Sequence, residues 1–287
     1  MIPNRLVSTS QERLRGIRVV YTDMDGTMLG PGASFLHDPD GNPTTQPVEA
    51  LLDALDKQID VVPVSGRALR GLQTDARLLS LPMVIAEMGA LLSYDFGREV
   101  VENFGATPEP GKPAEVMERL GAVELLLTRF AGRLEMHTPW SSWRECTQLF
   151  RGRVDVEEVN TVLAAEGFAW TELHDNGSLR GSYLGIEAGA ARAYHLQPAG
   201  VSKGSAVRID RERRGIAREE AIAIGDAIAD LALAEEVGTF VLVRHAYEED
   251  ADLASRVRAL PNALVTDRPQ NLGWADTVRA VARGAEG

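Results

Sequence analysis

The sequence predicts an α/β fold built on a parallel β-sheet, with a smaller α/β unit inserted into it. Short apolar runs that end in polar residues, such as IRVVYTD (17–23) and IDVVPVSGR (59–67), alternate with amphipathic helical segments. This alternation is typical of buried parallel strands with helices on both faces of the sheet. Residues 97–190 differ, with dense Pro and Gly followed by strand-like pieces containing aromatic residues. We therefore predict a core formed by 1–96 and 191–287, and an inserted domain of 97–190.

The predicted elements follow this division along the chain. In the first part of the core, helices over about 48–57 and up to about 79 follow the two strands, and PMVIAEMG (82–89) is a third strand. The inserted unit has one helix over 115–130, another over about 156–166, and strand-like pieces at 132–140, 168–173 and 178–188. In the last part, 201–215 is helical, EEAIAIGD (219–226) and TFVLV (239–243) are strands, and helices cover about 248–259 and 271–284.

Composition limits the possible partners and location. A chain of 287 residues with 44% hydrophobic residues is long enough for one large core or two smaller ones. Its net charge of −12 argues against nucleic acid or an anionic membrane as the main partner. Cys146 is the only cysteine, which excludes an intramolecular disulfide and a thiolate metal cluster. No secretion signal or apolar run of membrane-spanning length is visible, so we expect a cytoplasmic protein.

Two aspartates follow the first strand directly, in the run Asp23-Met24-Asp25-Gly26-Thr27. A carboxylate is ionised at neutral pH and needs no base to attack phosphorus, so Asp23 suits a nucleophile. Asp25 could protonate the leaving oxygen and later activate water. Gly26 allows the chain to curl, so that backbone amides of this loop, with Thr27, could hold a phosphate. The alternative interpretation is an ordinary Asp-Gly-Thr turn.

Two further polar clusters could hold an anion at the same sheet edge. Ser65, with Gly66, ends the second strand, where its hydroxyl could donate to a phosphoryl oxygen or cap a helix. Lys203 lies at a helix start, where the helix dipole disfavours a cation, so a charged partner such as a phosphoryl group is expected. A solvated surface lysine is the alternative.

The strand ending in Gly225 is followed by Asp226, and Asp230 lies one helical turn further on. Like charges so placed repel unless a cation lies between them. Mg²⁺ prefers oxygen ligands and keeps several waters, so Asp23, the carbonyl of Asp25 and Asp226 would be enough to hold it. The alternative is an aspartate that caps a helix with an acidic first turn.

The four stretches YTDMDGT, VVPVSGR, SKG and IGDAIAD resemble, in order, the four signature motifs of the haloacid dehalogenase-like (HAD) hydrolases. The segment between the second and third stretches resembles the large α/β cap of the Cof-type and sugar-phosphatase branch. The resemblance implies a Rossmann-like core, a mobile cap, and Mg²⁺-dependent phosphate-ester hydrolysis through an aspartyl phosphate. By matching position, the resemblance implies that Asp23 is the nucleophile and Asp25 the general acid/base, and that Ser65 and Lys203 bind the phosphoryl group. It also implies that Asp23, Asp25 and Asp226 bind the metal, and that Asp230 is a metal ligand or a neighbour of one. Arg67 and Met88 are possible substrate contacts.

The sequence departs from that branch at three positions. Met88, Ala229 and His245 stand where the branch usually has Asn, which places the substrate more in question than the chemistry. The predicted function is hydrolysis of a small phosphorylated metabolite, most plausibly a sugar phosphate. A phosphomutase that shares the aspartyl-phosphate step, or a weakly catalytic regulator that binds phosphometabolites, are the alternatives. In the inserted unit, His137 and His174 are expected to be structural or exposed. Trp140, Trp143 and Trp170 could line a pocket for a sugar ring, but we expect them to belong to the core of this unit.

Overall fold

A computed structural model describes residues 13–179, 181–187 and 189–285. Segment 1–12, for which the sequence predicts no secretion signal, lies outside the described residues. The strands are β1 Val19–Thr22, β2 Asp60–Pro63, β3 Val84–Ala86, β4 Leu91–Tyr94, β5 Glu99–Glu102, β6 Leu134–Met136, β7 Gln148–Gly152, β8 Thr171–Ser178, β9 Arg192–Pro198, β10 Ala221–Gly225, β11 Thr239–Leu242 and β12 Ala263–Val265. The helices are α1 Gln46–Asp56, α2 Leu69–Leu78, α3 Pro113–Arg119, α4 Ala122–Arg129, α5 Val156–Ala165, α6 Lys203–Arg214, α7 Leu231–Ala234, α8 Arg244–Glu249, α9 Ala251–Ala259 and α10 Gln270–Gly284.

The central sheet is parallel and has the strand order β12-β11-β10-β1-β2. The chain leaves β1 toward β2 on one side and later returns on the other side through β10. The order therefore reverses between β1 and β10, and such a switch point is where ligands bind in open α/β sheets. The predicted fold class, a parallel-sheet core with a second α/β unit, is confirmed.

Alternating side chains of the central strands enter two separate apolar cores. In β1, Val20 faces one core while Val19 and Tyr21 face the other. This is the two-residue period of a strand that is buried on both faces. Helices α1, α2 and α10 supply the first core, and α6, α7 and α9 supply the second. Both cores fix the carboxyl ends of the strands rigidly, and the site lies at those ends.

A small antiparallel sheet of order β3-β4-β5 extends the central sheet on the β2 side. Val64 bridges Ile85 in parallel, and the amide of Ser65 donates to the carbonyl of Ile85 at 2.9 Å. The turn after β2 is therefore held against the end of β3.

The inserted unit contains an antiparallel sheet of order β6-β7-β9-β8. One face packs on α3, α4 and α5, with Phe150 and Tyr194 among its buried side chains. His174 and His195 are direct cross-strand partners on the opposite face. That face turns toward the core site. The four-stranded sheet runs as far as Pro198, and the domain boundaries at 97 and 190 stay a prediction.

Several predicted elements differ in detail. The single helix predicted over 115–130 is two helices, because Gly121 takes a left-handed conformation (φ 90°) that ends one helix and begins the next. The helix predicted over 248–259 is likewise divided, at Asp250. The predicted strand-like piece 178–188 has only an isolated bridge between Tyr183 and Ile186 beyond β8, and its positions 180 and 188 lie outside the described residues. The sequence-based interpretation did not identify β4, β5, β7, β9 and β12.

Within the described residues, every helix is too short or too polar to span a membrane.

Candidate active site

The nucleophile candidate lies at the switch point between the two halves of the sheet. Asp23 follows β1, and its amide donates to the carbonyl of Ile224 in β10 at 2.9 Å. Asp226 directly follows β10, so the backbone pairing of the two strands brings the two aspartates together. This convergence follows from the parallel register alone.

Lys203 bridges two of the site carboxylates. Its ammonium donates to Oδ1 of Asp23 at 2.6 Å and to Oδ1 of Asp230 at 2.7 Å. The lysine side chain is only 1% exposed, so the alternative of a solvated surface lysine is excluded. Burial by itself would lower the pKa of Lys203, but the two aspartates raise it above its usual range. The lysine therefore stays charged at the first turn of α6.

Burial governs the ionisation of Asp23. It raises the pKa of this carboxyl to about 7, against the opposing pull of Lys203 and with a further increase from Asp230. The ionised form of Asp23 is therefore destabilised in the metal-free protein. Positive charge brought to this point would favour its ionised form.

Asp226 is held by the loop that follows Asp23. The hydroxyl of Thr27 donates to Oδ1 of Asp226 at 2.9 Å. A Cβ at position 26 would lie 2.2 Å from Oδ2 of Asp226, so only Gly26 permits this approach. Burial raises the pKa of Asp226 well above its usual range, and Asp23 and Asp230 raise it further. The Nε2 atom of His245 lies 3.8 Å from Oδ2 of the same carboxylate.

The amides of the nucleophile loop are only partly available to a phosphate. Those of Gly26 and Thr27 donate to the carbonyls of Leu29 and Met24, each at 3.2 Å. The amides of Met24 and Asp25 have no protein acceptor in the part of the chain that the structure describes. The predicted phosphate role of Gly26 and Thr27 stays a prediction, and the hydroxyl of Thr27 serves Asp226.

Asp230 has two roles. One oxygen receives the ammonium of Lys203, and Oδ2 accepts the amides of Asp226 and Ala227 at 3.0 Å each. The helix-capping role considered from the sequence therefore applies to Oδ2, which accepts backbone amides. Oδ1 instead forms the ion pair with Lys203.

The acidic cluster fits a divalent cation. Carboxylate oxygens of Asp23, Asp226 and Asp230 lie within 4.8 Å of one another. Three carboxylates against one ammonium leave two negative charges without compensation, and oxygen donors are those that Mg²⁺ prefers. Asp23 and Asp226 would hold the ion, because Asp230 is already occupied by Lys203 and two amides.

Asp25 forms a bidentate ion pair with Arg67. The guanidinium donates from Nη2 at 2.6 Å and from Nε at 2.8 Å to the two carboxylate oxygens, and from Nη1 to Asp75 at 2.6 Å. Arg67 lies in the turn before α2, between these two carboxylates. The pair orients Asp25 at the rim of the site.

Ser65 is buried beside the nucleophile strand, and it does not cap α2, whose N-cap residue is Ala68. Its hydroxyl accepts the amide of Arg67 at 3.2 Å, which leaves the hydroxyl proton available to an acceptor. Met88 is also buried, in a left-handed conformation (φ 59°), and its amide donates to the carbonyl of Ser65 at 3.1 Å. Met88 therefore supports the Ser65 turn through its backbone.

Three residues at the boundary between cap and core were missed by the sequence-based interpretation. Glu87 is fully buried and accepts the amides of residues 145–147. Arg144 donates to the carbonyl of Gly66 at 2.9 Å, and buried His195 lies against Gly66. These contacts join residues between 58 and 129 positions apart, so no local pattern could indicate them. A buried glutamate between apolar residues was the single available signal.

The sequence of this chain is similar to those of known hydrolases. A family model described as haloacid dehalogenase-like hydrolase matches residues 180–261. A phosphoglycolate phosphatase of Methanoculleus marisnigri is 27% identical over 233 residues, which cover 80% of this chain and 85% of the relative. One of Archaeoglobus fulgidus is 25% identical over 247 residues, covering 85% and 92%.

Solved structures share the fold across nearly the whole chain. A Thermoplasma acidophilum protein superposes with a TM-score of 0.62 at 18% identity, covering 92% of this chain and 98% of its own. A haloacid dehalogenase-like hydrolase of Bacteroides thetaiotaomicron has a TM-score of 0.61 at 17% identity, covering 92% and 99%. The sucrose-phosphatase of a Synechocystis species has a TM-score of 0.61 at 13% identity, covering 94% and 98%.

The doubly covered parallel sheet, with clustered acids at its switch point and a second α/β unit above them, defines a capped α/β hydrolase. The family-model match over residues 180–261, the phosphatase relatives and the shared fold support a haloacid dehalogenase-like hydrolase of the Cof type. The family resemblance stated from the four motifs is thereby confirmed.

Proposed function

We propose that this protein is a Mg²⁺-dependent phosphatase that hydrolyses a small phosphorylated metabolite through a phosphoaspartate on Asp23. The main observation that supports this proposal is the position of buried Asp23, which shares Lys203 with Asp230 and lies beside Asp226. The match to the hydrolase family model and the three relatives named phosphoglycolate phosphatase support a phosphoric monoester hydrolase.

In the proposed reaction, Asp23 attacks phosphorus while Asp25 gives a proton to the departing alkoxide. Asp25 then takes a proton from the water that opens the phosphoaspartate, which releases inorganic phosphate and restores Asp23. Ser65 and Lys203 hold the phosphoryl oxygens. Bound at Asp23 and Asp226, with the Asp25 carbonyl, Mg²⁺ would neutralise charge on the phosphoryl group.

The metabolite remains open between two classes. The sequence favours a sugar phosphate, whereas the curated relatives favour the phosphorylated two-carbon acid in their name. The likeness to sucrose-phosphatase, at 13% identity, concerns the fold alone. A single buried cysteine suits a reducing cytoplasm, where we propose that the protein works.

The test is phosphate release from a panel of phosphometabolites, with Mg²⁺ and with EDTA. We expect turnover that requires Mg²⁺ and that Asp23→Asn abolishes, with an unchanged circular dichroism spectrum. Wild-type rates in that variant would remove Asp23 as the nucleophile. Transfer of phosphate between sugar positions without free phosphate would indicate a mutase, and stabilisation without turnover would indicate a binding protein.

A further inference from the structure

The open face of the cap sheet carries polar side chains that meet the Ser65 turn of the core. A Cβ at Gly66 would lie 2.7 Å from Nε2 of His195 and 3.0 Å from Nδ2 of Asn176. His174 stands directly opposite His195 on the neighbouring strand. The cap therefore covers the site at Gly66, the residue next to Ser65.

Arg144 is a partly buried cation at this boundary whose direct partners are all neutral. It donates from Nη1 to the carbonyl of Gly66 and to the hydroxyl of Thr147, at 2.9 and 2.8 Å, and from Nε to the carbonyl of Trp140 at 3.1 Å. Its Nη2 has no hydrogen-bond acceptor among residues 13–179, 181–187 and 189–285. The guanidinium therefore keeps donors free for a ligand.

The charge of Arg144 is weakly compensated. Burial lowers its pKa to about 10, and Glu87 is the one group that opposes this shift. The carboxylate of Glu87 is already bound by the amides of residues 145–147 and by the hydroxyl of Thr147. A desolvated cation without a direct counter-ion gains most from an anion that enters with the substrate.

His195 adds a second unused polar group beside Arg144. The side chain is 1% exposed, and its Nδ1 has no partner in the described part of the chain. Burial and the nearby Arg144 and Lys203 lower the pKa of His195 well below its usual range, so the ring is neutral. A neutral imidazole can donate one hydrogen bond to a carboxylate without adding another buried charge.

We propose that Arg144 and His195 bind a carboxylate of the substrate, so that the substrate class is a short phosphorylated carboxylic acid. This rests on the proposed phosphatase function. Arg144 contacts the residue next to Ser65, and adjacent Cα atoms are about 3.8 Å apart, so only a short carbon chain fits between phosphate and carboxylate. The two N–H groups of Nη2, which have no acceptor among the described residues, can donate to a carboxylate.

The experiment measures binding by calorimetry in the Asp23→Asn background, with 2-phosphoglycolate and ethyl phosphate as probes. The two probes have similar size and differ in the carboxylate. We expect Arg144→Gln to weaken phosphoglycolate binding about 100-fold and ethyl phosphate binding less than about threefold, with a loss of about tenfold for His195→Asn. Arg133→Gln, which removes an exposed ion pair with Glu158 in the cap, should leave both unchanged.

Equal losses for both probes would make Arg144 a structural bridge between cap and core and would overturn the proposal. Tighter binding of ethyl phosphate than of phosphoglycolate by the Asp23→Asn protein would overturn it as well. Because binding is read without turnover, these outcomes are separate from failure of the phosphatase function, which appears as absent phosphate release from the wild-type protein.

Discussion

The ammonium of Lys203 lies 2.6 Å from Oδ1 of Asp23, inside a site where the lysine side chain is 1% exposed. The same nitrogen also contacts Asp230, so one cation holds two carboxylates in place. The proposed nucleophile, Asp23, is therefore held in place by a residue 180 positions away.

Replacing Lys203 by Met should remove the positive charge that compensates the buried carboxylates of Asp23 and Asp230. We expect a loss of about 3–5 kcal/mol in the free energy of unfolding of the metal-free protein, because buried carboxylates lose their partner. Mg²⁺ should restore part of the loss, and turnover should be absent. Urea denaturation with and without Mg²⁺ measures this. The control is Lys112→Met, which breaks an exposed ion pair with Glu145 and should change the free energy of unfolding by less than about 1 kcal/mol. A similar loss of stability in both variants would contradict the stabilising role of Lys203.

Asp226→Asn should separate stability from metal binding. Burial raises the pKa of Asp226 well above its usual range, so at pH 8, where the unfolded chain has lost this proton, the folded state is less stable than it would be without the carboxyl group. Asn keeps an acceptor for the Thr27 hydroxyl and removes the charge. We expect the metal-free variant to be more stable by at least about 1 kcal/mol, and to lose the rise in melting temperature caused by Mg²⁺. An unchanged Mg²⁺ shift would show that the ion binds elsewhere.

The acidic centre was predictable because its positions follow directly from local sequence. Asp23 and Asp226 each end a short apolar strand, and parallel pairing carries both to one edge. The assignment of Lys203 was incomplete for the opposite reason. Its need for an anion was evident from the helix start, but its partnership with Asp230 depends on how α6 packs beside β10. The cap contacts of Arg144 and His195 depend on the docking of two domains, which no local pattern encodes. The break at Gly121 was readable, since a glycine inside an apolar helical pattern often ends a helix.

The pH dependence of stability should report the ionisation of buried Asp23. The folded-state pKa of Asp23 is about 7, raised by burial from an ordinary value of 3.8. Between these values the folded chain binds a proton that the unfolded chain has lost, so the free energy of unfolding falls as pH rises through this window and levels off above about 7. The Asp23→Asn variant has no titrating carboxyl group at this position, so it lacks this contribution to the pH dependence.

The measurement compares wild-type and Asp23→Asn unfolding in urea at intervals between pH 5 and 8, without metal. We expect the wild type to lose stability relative to the variant as pH rises. Saturating Mg²⁺ should flatten this difference, because the ion stabilises the carboxylate form. A difference that is independent of pH in metal-free buffer would mean that Asp23 ionises normally.

Gly66→Ala should disturb cap closure while leaving the chemistry intact. Its Cβ would come within 2.7 Å of Nε2 of His195, closer than the packed boundary allows. We expect kcat/KM to fall about 10- to 100-fold, mainly through KM, with little change in unfolding free energy. Gly71→Ala is the control, since a Cβ there meets nothing within 4 Å on the surface of α2. Combining Gly66→Ala with His195→Ala should cost less than the two losses added, because the closest clash of the new methyl group is then removed. Fully additive losses in that cycle would show that Gly66 and His195 act independently and that the cap does not approach this turn.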